Sequence, residues 1–173
     1  MDPETLAQAV EYTENLFVRF LAGFDEGNKA CQETNLPNHA AWLLGHCALS
    51  MHRVAGVIDG GSVPEEDFVS MPETPDTARY DIESIAKDSE PAADPSLYPL
   101  LDRGKAIFHM AIVRLAAAVR AASSSDLGEK MSWHGTPLSR GELVLRICFH
   151  NGCHAGQLVD MRRALSMPAV IPS

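Results

Sequence analysis

SRGELVLRICFHNGCHAGQLVDMRRALS, residues 139–166, has the pattern of one long amphipathic helix, and the rest of the chain is organised around it. Ser139 and Glu142 have the spacing of a capping box, and Pro168 follows the far end. Seven positions follow one another at steps of three or four residues, as the core-facing seam of a helix does: Leu143, Ile147, His150, His154, Leu158, Met161 and Leu165. Two of these seven side chains are imidazoles, so the pattern predicts histidines on the buried side.

The polar residues of this stretch fall mostly off the seam, which indicates a true stripe rather than a uniformly apolar segment. They are Arg146, Asn151, Gln157, Arg162 and Arg163.

The spacing of His150 and His154 suits two ligands of one ion. Residues four apart on a helix are separated by ~6 Å along the axis and ~40° around it. Imidazole is the commonest protein ligand for several divalent transition metals, and a buried pair needs either a metal or hydrogen-bond partners. Both interpretations stay open here: a metal site, or two core histidines satisfied by neighbours. Asn151 follows His150 where an H-E-x-x-H protease needs glutamate, which disfavours that class.

Length and composition predict one soluble domain, residues 1–173. The chain has no apolar run of membrane-spanning length, and its start, MDPETLAQAV, lacks the features of a secretory signal. We therefore expect a cytoplasmic protein without a membrane partner. The four cysteines form no C-x-x-C pair and are expected to be reduced thiols: Cys31, Cys47, Cys148 and Cys153.

The formal charge of −9 is concentrated in one part of the chain. The stretch from Asp59 to Asp102 holds 12 acidic residues against Arg79 and Lys87, so the remainder is almost neutral. Without a basic patch, nucleic acid is not expected as a partner. This proline-containing acidic stretch, about 60–94, is most simply a solvated crossover, although it could shape access to a pocket.

Three further helices are predicted. The first starts at Asp2-Pro3 and ends near residues 23–27, the second runs from His39 to about Ile58, and the third runs from Asp94-Pro95 to about Ala122. No convincing strand alternation appears. The expected fold is all-α: a four-helix bundle with a long crossover between helices 2 and 3 and an interior site built from facing side chains.

The remaining histidines and one tryptophan complete the set of candidates. The second helix is apolar over much of its circumference, so periodicity leaves the direction of His46 open. His39 and His52 are interpreted as packing or surface residues, and His109 as a half-buried packing residue. Residues 130–138 are interpreted as a loop. In this loop Trp133 is the residue expected to cover the interior site as a lid, while His134 either reaches the mouth of the bundle or is simply solvent-exposed.

Two stretches resemble the DinB/YfiT-like superfamily of metal-dependent enzymes. They are NHAAWLLGHCALSMHRV in the second helix and HNGCHAGQLVDMRRAL in the last. In that family a histidine in a W-x-x-G-H-like context joins an H-x-x-x-H pair followed by G-Q-L. The resemblance places the family's metal-binding triad on His46, His150 and His154, and it implies that His46 faces inward.

The resemblance implies a divalent transition metal, either zinc, nickel, iron or manganese, held by three neutral imidazoles with an open coordination position. It implies hydrolysis of a small-molecule substrate or transfer involving a low-molecular-weight thiol cosubstrate. Gln157, one turn after His154, is predicted to hold a ligand or the backbone. No carboxylate occupies a motif-matched position near the triad, so the general base and the catalytic residues remain unassigned.

Two alternatives belong to other classes of protein. One is a non-catalytic helical binding or stress-related module in which the metal is structural, and the other is a metal-free bundle with an apolar pocket. The first and second helices carry more hydrophobic surface than one seam requires, which, with the frequent pairing of bundles in this family, makes a homodimer plausible.

Overall fold

The structure is a computed structural model, and it describes residues 1–170. Four long helices make up about half of this part of the chain, and a short fifth helix precedes the last. They are α1 (Pro3–Phe20), α2 (Ala40–Asp59), α3 (Leu101–Ala121), α4 (Ser124–Gly128) and α5 (Arg140–Ala164). The prediction of a mostly helical chain is confirmed.

Local side-chain contacts set where the helices begin. The Asp2 carboxylate accepts a hydrogen bond from the Thr5 backbone N–H at 2.8 Å at the start of α1. The start of α5 is the predicted capping box, in which Ser139 and Glu142 satisfy each other's backbone N–H groups. These contacts supply partners for helical N–H groups that have none inside the helix.

The four long helices pack pairwise around one hydrophobic core. Helix α2 lies against α3 and α5, and α1 lies against the same two helices from the other side. Helix α2 is buried over most of its length, from Ala40 to Ala55, so its apolar circumference is used inside the core rather than left on the surface.

The crossover between α2 and α3 is held against the bundle more closely than a solvated excursion would be. It contains two short parallel strands, β1 (Phe68–Val69) and β2 (Tyr80–Asp81), and 3₁₀ turns at Glu83–Ile85 and Pro95–Leu97. Tyr80 is fully buried, and its hydroxyl donates to the carbonyl oxygen of Ala41 at 3.0 Å. The Tyr80 ring lies so close to Gly45 that a Cβ there would be 2.6 Å from it, so the crossover needs glycine at this point of α2.

The expectation that the chain has no strands is wrong. Besides β1 and β2, residues 130–139 form an antiparallel hairpin of β3 (Lys130–Trp133) and β4 (Thr136–Ser139), where a loop was predicted. His134 and Gly135 join the strands with φ of 47° and 79°. Two residues with positive φ make the tight turn that matches the twist of a hairpin.

Two helix boundaries also differ from the predictions. Helix α1 ends at Phe20, earlier than residues 23–27, and Gly23 follows with the left-handed φ of 84° that is typical of helix ends. The buried guanidinium of Arg162 donates to the carbonyl oxygens of Phe20 and Ala22 there. The Asp94-Pro95 signal starts only a 3₁₀ turn, and α3 begins at Leu101. The interruption follows from Pro99, which keeps Tyr98 before it in an extended conformation.

The burial of several side chains differs from what the sequence pattern predicted or left open. Asn151 and Arg162, which fall off the seam of α5, are both buried. The Asn151 amide donates to Thr13 Oγ1 on α1, at 3.3 Å, and thereby links two helices. His39 and His52 are buried, whereas the interpretation of His109 as half-buried packing is wrong: it is exposed and lies 2.7 Å from the Glu14 carboxylate.

All four cysteines are free thiols, as predicted. No helix within residues 1–170 has both the length and the apolar character that crossing a membrane requires.

Candidate metal centre

The structure brings His46 from the middle of α2 together with His150 and His154 from adjacent turns of α5. The Nε2 atom of His150 lies 3.0 Å from that of His46 and 3.2 Å from that of His154. One ring nitrogen from each histidine lies within 4.8 Å of the other two. The pairing of α2 with α5 therefore gathers three imidazoles from two distant parts of the sequence at one point.

Oxygen atoms on the far side of the rings set the orientation of the histidines. His46 Nδ1 lies 2.9 Å from the carbonyl oxygen of Ile85, and His154 Nδ1 lies 2.8 Å from Gln157 Oε1. His150 Nδ1 has a longer contact of 3.4 Å with Asn151 Oδ1. An oxygen acceptor at Nδ1 keeps the proton on that nitrogen, so the three Nε2 lone pairs face one another.

The arrangement of lone pairs fits a divalent transition-metal ion. Three lone pairs at 3.0 and 3.2 Å repel one another unless a cation lies between them. Zinc–imidazole bonds of about 2.0–2.1 Å in a tetrahedral site place neighbouring nitrogens about 3.3 Å apart. The donor type, the number of donors and their spacing all match such a site.

Burial keeps the three imidazoles in the neutral form that binds metals. Burial lowers the pKa of His46 and of His150 to about 4, and the proximity of the other histidines adds to the effect. Burial also lowers the pKa of His154, although its bond to Gln157 acts in the opposite direction. At neutral pH no proton has to be displaced before an ion binds.

Trp42 forms a rigid wall beside the histidines. Its ring stacks on that of His46 with a centroid separation of 4.4 Å, and its edge faces His154. The indole N–H donates to the carbonyl oxygen of Ser84 at 3.1 Å and to Ser89 Oγ at 3.0 Å. The crossover thus holds both Trp42 and, through Ile85, His46.

The three histidines lie in the wall of a pocket of about 620 Å³. Helices α2 and α5, the crossover and the β3–β4 hairpin all contribute to its lining. Trp133 and His134, the residues predicted at the mouth, both line it, with Trp133 half-buried and His134 exposed. His39, His52 and His109 lie elsewhere.

The basic residues of this pocket were not predicted from the sequence; they are Arg53, Lys87 and Arg146. Helical spacing carries a signal for two of them, because Arg53 follows His46 by two turns on α2 and Arg146 precedes His150 by one turn on α5. Lys87 has no such signal, since its place in the pocket depends on how the crossover folds back. No Asp or Glu from the described part of the chain lines the pocket.

These features define a helical protein with a three-histidine candidate metal centre that opens into a pocket with basic side chains in its lining. The sequence model of the DinB superfamily matches residues 9–158 of the chain, which therefore belongs to this superfamily. The resemblance carried by the second and last helices is confirmed.

One solved structure shows the same fold at low sequence identity. It is the structure of a conserved protein of a locus from Enterococcus faecalis, with a TM-score of 0.70 and 15% sequence identity to this chain. The alignment covers 92% of this chain and 94% of that one. None of the curated proteins compared with the chain matches it.

Proposed function

We propose that this chain is a metal-dependent enzyme in which His46, His150 and His154 hold one divalent transition-metal ion. The observation that carries the proposal is the convergence of three Nε2 lone pairs in the wall of an open pocket. The proposed reaction is hydrolysis of a small molecule or transfer involving a low-molecular-weight thiol. Zinc, nickel, iron and manganese all accept such a donor set.

A bound ion would supply a Lewis acid that makes a water molecule or a thiol more acidic and more nucleophilic. The residues of the chain prepare the site for it. Ile85 and Gln157 hold the rings of His46 and His154 so that the ligand nitrogens point at one position. Gln157 itself accepts a bond from the Asn38 amide at 3.2 Å, which fixes its oxygen toward His154. We assign Gln157 the role of orienting a ligand.

Trp133 and His134 are proposed to control access to the centre. Both belong to the tight end of the hairpin, and both line the pocket that contains the histidines. A half-buried indole at this place excludes water from one side of a bound substrate. No carboxylate within residues 1–170 lines the pocket, so the proposal names no carboxylate as general base.

The main alternative is a non-catalytic module in which the metal only stabilises the fold. The open pocket favours the enzyme, because structural zinc sites are closed by four protein ligands. Cobalt-substituted protein distinguishes the two functions. A small thiol that changes the visible spectrum indicates an exchangeable position and supports the enzyme, whereas an unchanged spectrum supports a structural metal.

Elemental analysis tests the metal site itself. Protein purified without chelators or a metal-affinity step is compared with the variants His150→Ala and His109→Ala. We expect about one equivalent of a transition metal in the parent and in His109→Ala, whose exposed histidine lies elsewhere, and a loss of metal in His150→Ala. A parent that takes up no zinc, nickel or manganese would overturn the proposal and favour the metal-free bundle.

We also propose a specific arrangement of the four long helices. The pairwise packing of the four long helices supports a four-helix bundle with a long crossover between α2 and α3.

A cytoplasmic location and a homodimer stay predictions. The exposed apolar residues of the helices lie on α1, α3 and α5 rather than on the buried α2, and they include Tyr12, Leu16, Val113, Leu145 and Phe149. Sedimentation that shows only monomer would contradict the homodimer.

A further inference from the structure

The pocket beside the histidines collects basic side chains that have no acidic partner. Most Lys and Arg side chains of the chain lie within 4.0 Å of a carboxylate. Within residues 1–170, those outside any ion pair are Arg19, Arg53, Lys87, Arg146 and Arg162. Arg162 donates to backbone carbonyls instead, and Arg19 lies at the end of α1. The other three line this one pocket.

The two arginines lie on the same side of the three histidines. Asn38 contacts Gln157 and His46 contacts His150, so residue numbers fall along α5 as they rise along α2 and the helices are antiparallel. Arg53 lies ~10 Å beyond His46 along α2, and Arg146 lies ~6 Å before His150 along α5. Both displacements lead away from Asn38 and Gln157, toward the end of α5 from which the β3–β4 hairpin emerges.

The charge of the pocket is opposite to that of the protein. The chain as a whole carries −9, yet three cations and no carboxylate of the described residues line this pocket. The three histidines are neutral, so a bound divalent ion would add two further positive charges. Unpaired cations that face an open cavity attract an anion and raise its local concentration.

We infer that the pocket takes a small anionic molecule, a carboxylate or dicarboxylate, whose charged group is held by Arg53 and Arg146, while Lys87 adds a third positive charge to the lining. The arginine fork binds a carboxylate through two parallel hydrogen bonds. The reactive part of the molecule then lies one or two helical turns away, at the three histidines. This inference rests on the proposed function for what happens at the histidines, but the anion site itself depends only on the basic residues.

Intrinsic fluorescence provides a direct assay. The chain has two tryptophans, Trp42 and Trp133, and both line the pocket, so a bound molecule changes their surroundings. Succinate is titrated into metal-free protein at low salt, and 1,4-butanediol of similar length but without charge is titrated in parallel. The double variant Arg53→Gln/Arg146→Gln is compared with Arg19→Gln, a residue that is also exposed and without a carboxylate partner but lies outside the pocket.

We expect succinate to give a saturable change that butanediol does not give. In the double variant the dissociation constant should rise by about tenfold or more, and in Arg19→Gln by less than about twofold. Equal affinity in the two variants, or an equal response to succinate and butanediol, overturns the inference. So does the absence of a saturable response to succinate. Added salt should weaken binding in the parent protein.

Zinc uptake, measured after zinc is added back to samples of the same metal-free preparations, separates this inference from the proposed function. If the parent binds zinc but shows no preference for succinate over butanediol, the proposed metal site stands and the proposed anion site is overturned. If the parent binds no zinc but binds succinate more tightly than the double variant does, the anion site stands and the enzyme proposal is overturned. Equal thermal unfolding midpoints of the metal-free parent and the double variant show that the substitutions leave the fold intact.

Discussion

The Nε2 atoms of His46 and His150 lie 3.0 Å apart although the two residues are separated by 104 positions in the chain. Neither nitrogen has a proton to share when each Nδ1 proton is held by an oxygen acceptor. In that tautomer the two lone pairs repel each other, and a cation between them removes the repulsion. The geometry of this contact depends on the contacts that hold each ring from behind.

Replacing Gln157 by Leu should weaken metal binding without abolishing it. Gln157 Oε1 accepts from His154 Nδ1 at 2.8 Å, and without that acceptor the ring loses both its orientation and its tautomer preference. Loss of such a partner typically reduces metal affinity by about 10- to 100-fold. A competition titration with a zinc chelator measures the change, and Gln157→Glu, which keeps an acceptor oxygen, should retain most of the affinity. Equal affinity in the parent and in Gln157→Leu would contradict the role of Gln157.

The metal-free protein should lose stability as the pH falls below about 6.5. Burial lowers the pKa of four histidines from 6.5 to about 4: His39, His46, His52 and His150. Between these two values the unfolded chain binds protons that the folded chain excludes, so the free energy of unfolding decreases from pH 6.5 toward pH 4 and is fully retained above pH 6.5. Urea midpoints at several pH values measure the trend. A midpoint that stays constant from pH 7 to pH 5 would rule it out.

Gly45→Ala should destabilise the fold, whereas Gly152→Ala should not. A Cβ at Gly45 would lie 2.6 Å from the Tyr80 ring, while a Cβ at Gly152 meets nothing within 4 Å. We expect a cost of about 1–3 kcal/mol or more for the first substitution from overpacking. For the second we expect a gain of up to about 1 kcal/mol, since alanine favours a helix interior. Thermal unfolding of the two variants measures the difference, and similar melting temperatures would show that the crossover does not pack on α2 as described.

Arg162→Met should cost far more stability than Arg163→Met. The buried guanidinium of Arg162 donates to the carbonyl oxygens of Phe20, Ala22 and Pro168, and of these three bonds only the one to Phe20 is fully buried. The loss of these bonds should cost about 1–3 kcal/mol, since the buried Phe20 carbonyl oxygen is then left without its partner. Arg163 is exposed and pairs only with Asp160, so its replacement should change stability by about 0.5 kcal/mol or less. Chemical denaturation of both variants provides the comparison, and equal effects would contradict the structural role of Arg162.

Local patterns in the sequence predicted the helices well but not what packs on them. The seam of α5 and the capping box at Ser139 could be found because each depends on residues within a few positions of one another. The burial of Asn151 and Arg162 could not be predicted from local patterns, because their partners lie on or just after α1 and at Pro168. The hairpin was missed because its strands are only four residues long and its turn uses His-Gly rather than the commoner Asn-Gly.

The candidate site shows the same division. His150 and His154 followed from spacing, and His46 followed from the family resemblance. The carbonyl oxygen of Ile85 could not be anticipated, since a backbone acceptor in the crossover leaves no mark in the residue types. Arg53 and Arg146 had a helical spacing that pointed toward the histidines, but an arginine near a seam is far more often a solvated side chain.

The hold of the crossover on the histidine centre has a consequence for local unfolding. Residues 84–89 supply the acceptors for Trp42 and His46, so this segment cannot detach without releasing the wall and one ligand of the centre together. Occupancy of the centre and attachment of the segment are therefore thermodynamically linked. A bound ion should slow amide hydrogen exchange and proteolytic cleavage in residues 84–89. Conversely, a molecule that detached this segment would weaken ion binding by the same coupling free energy.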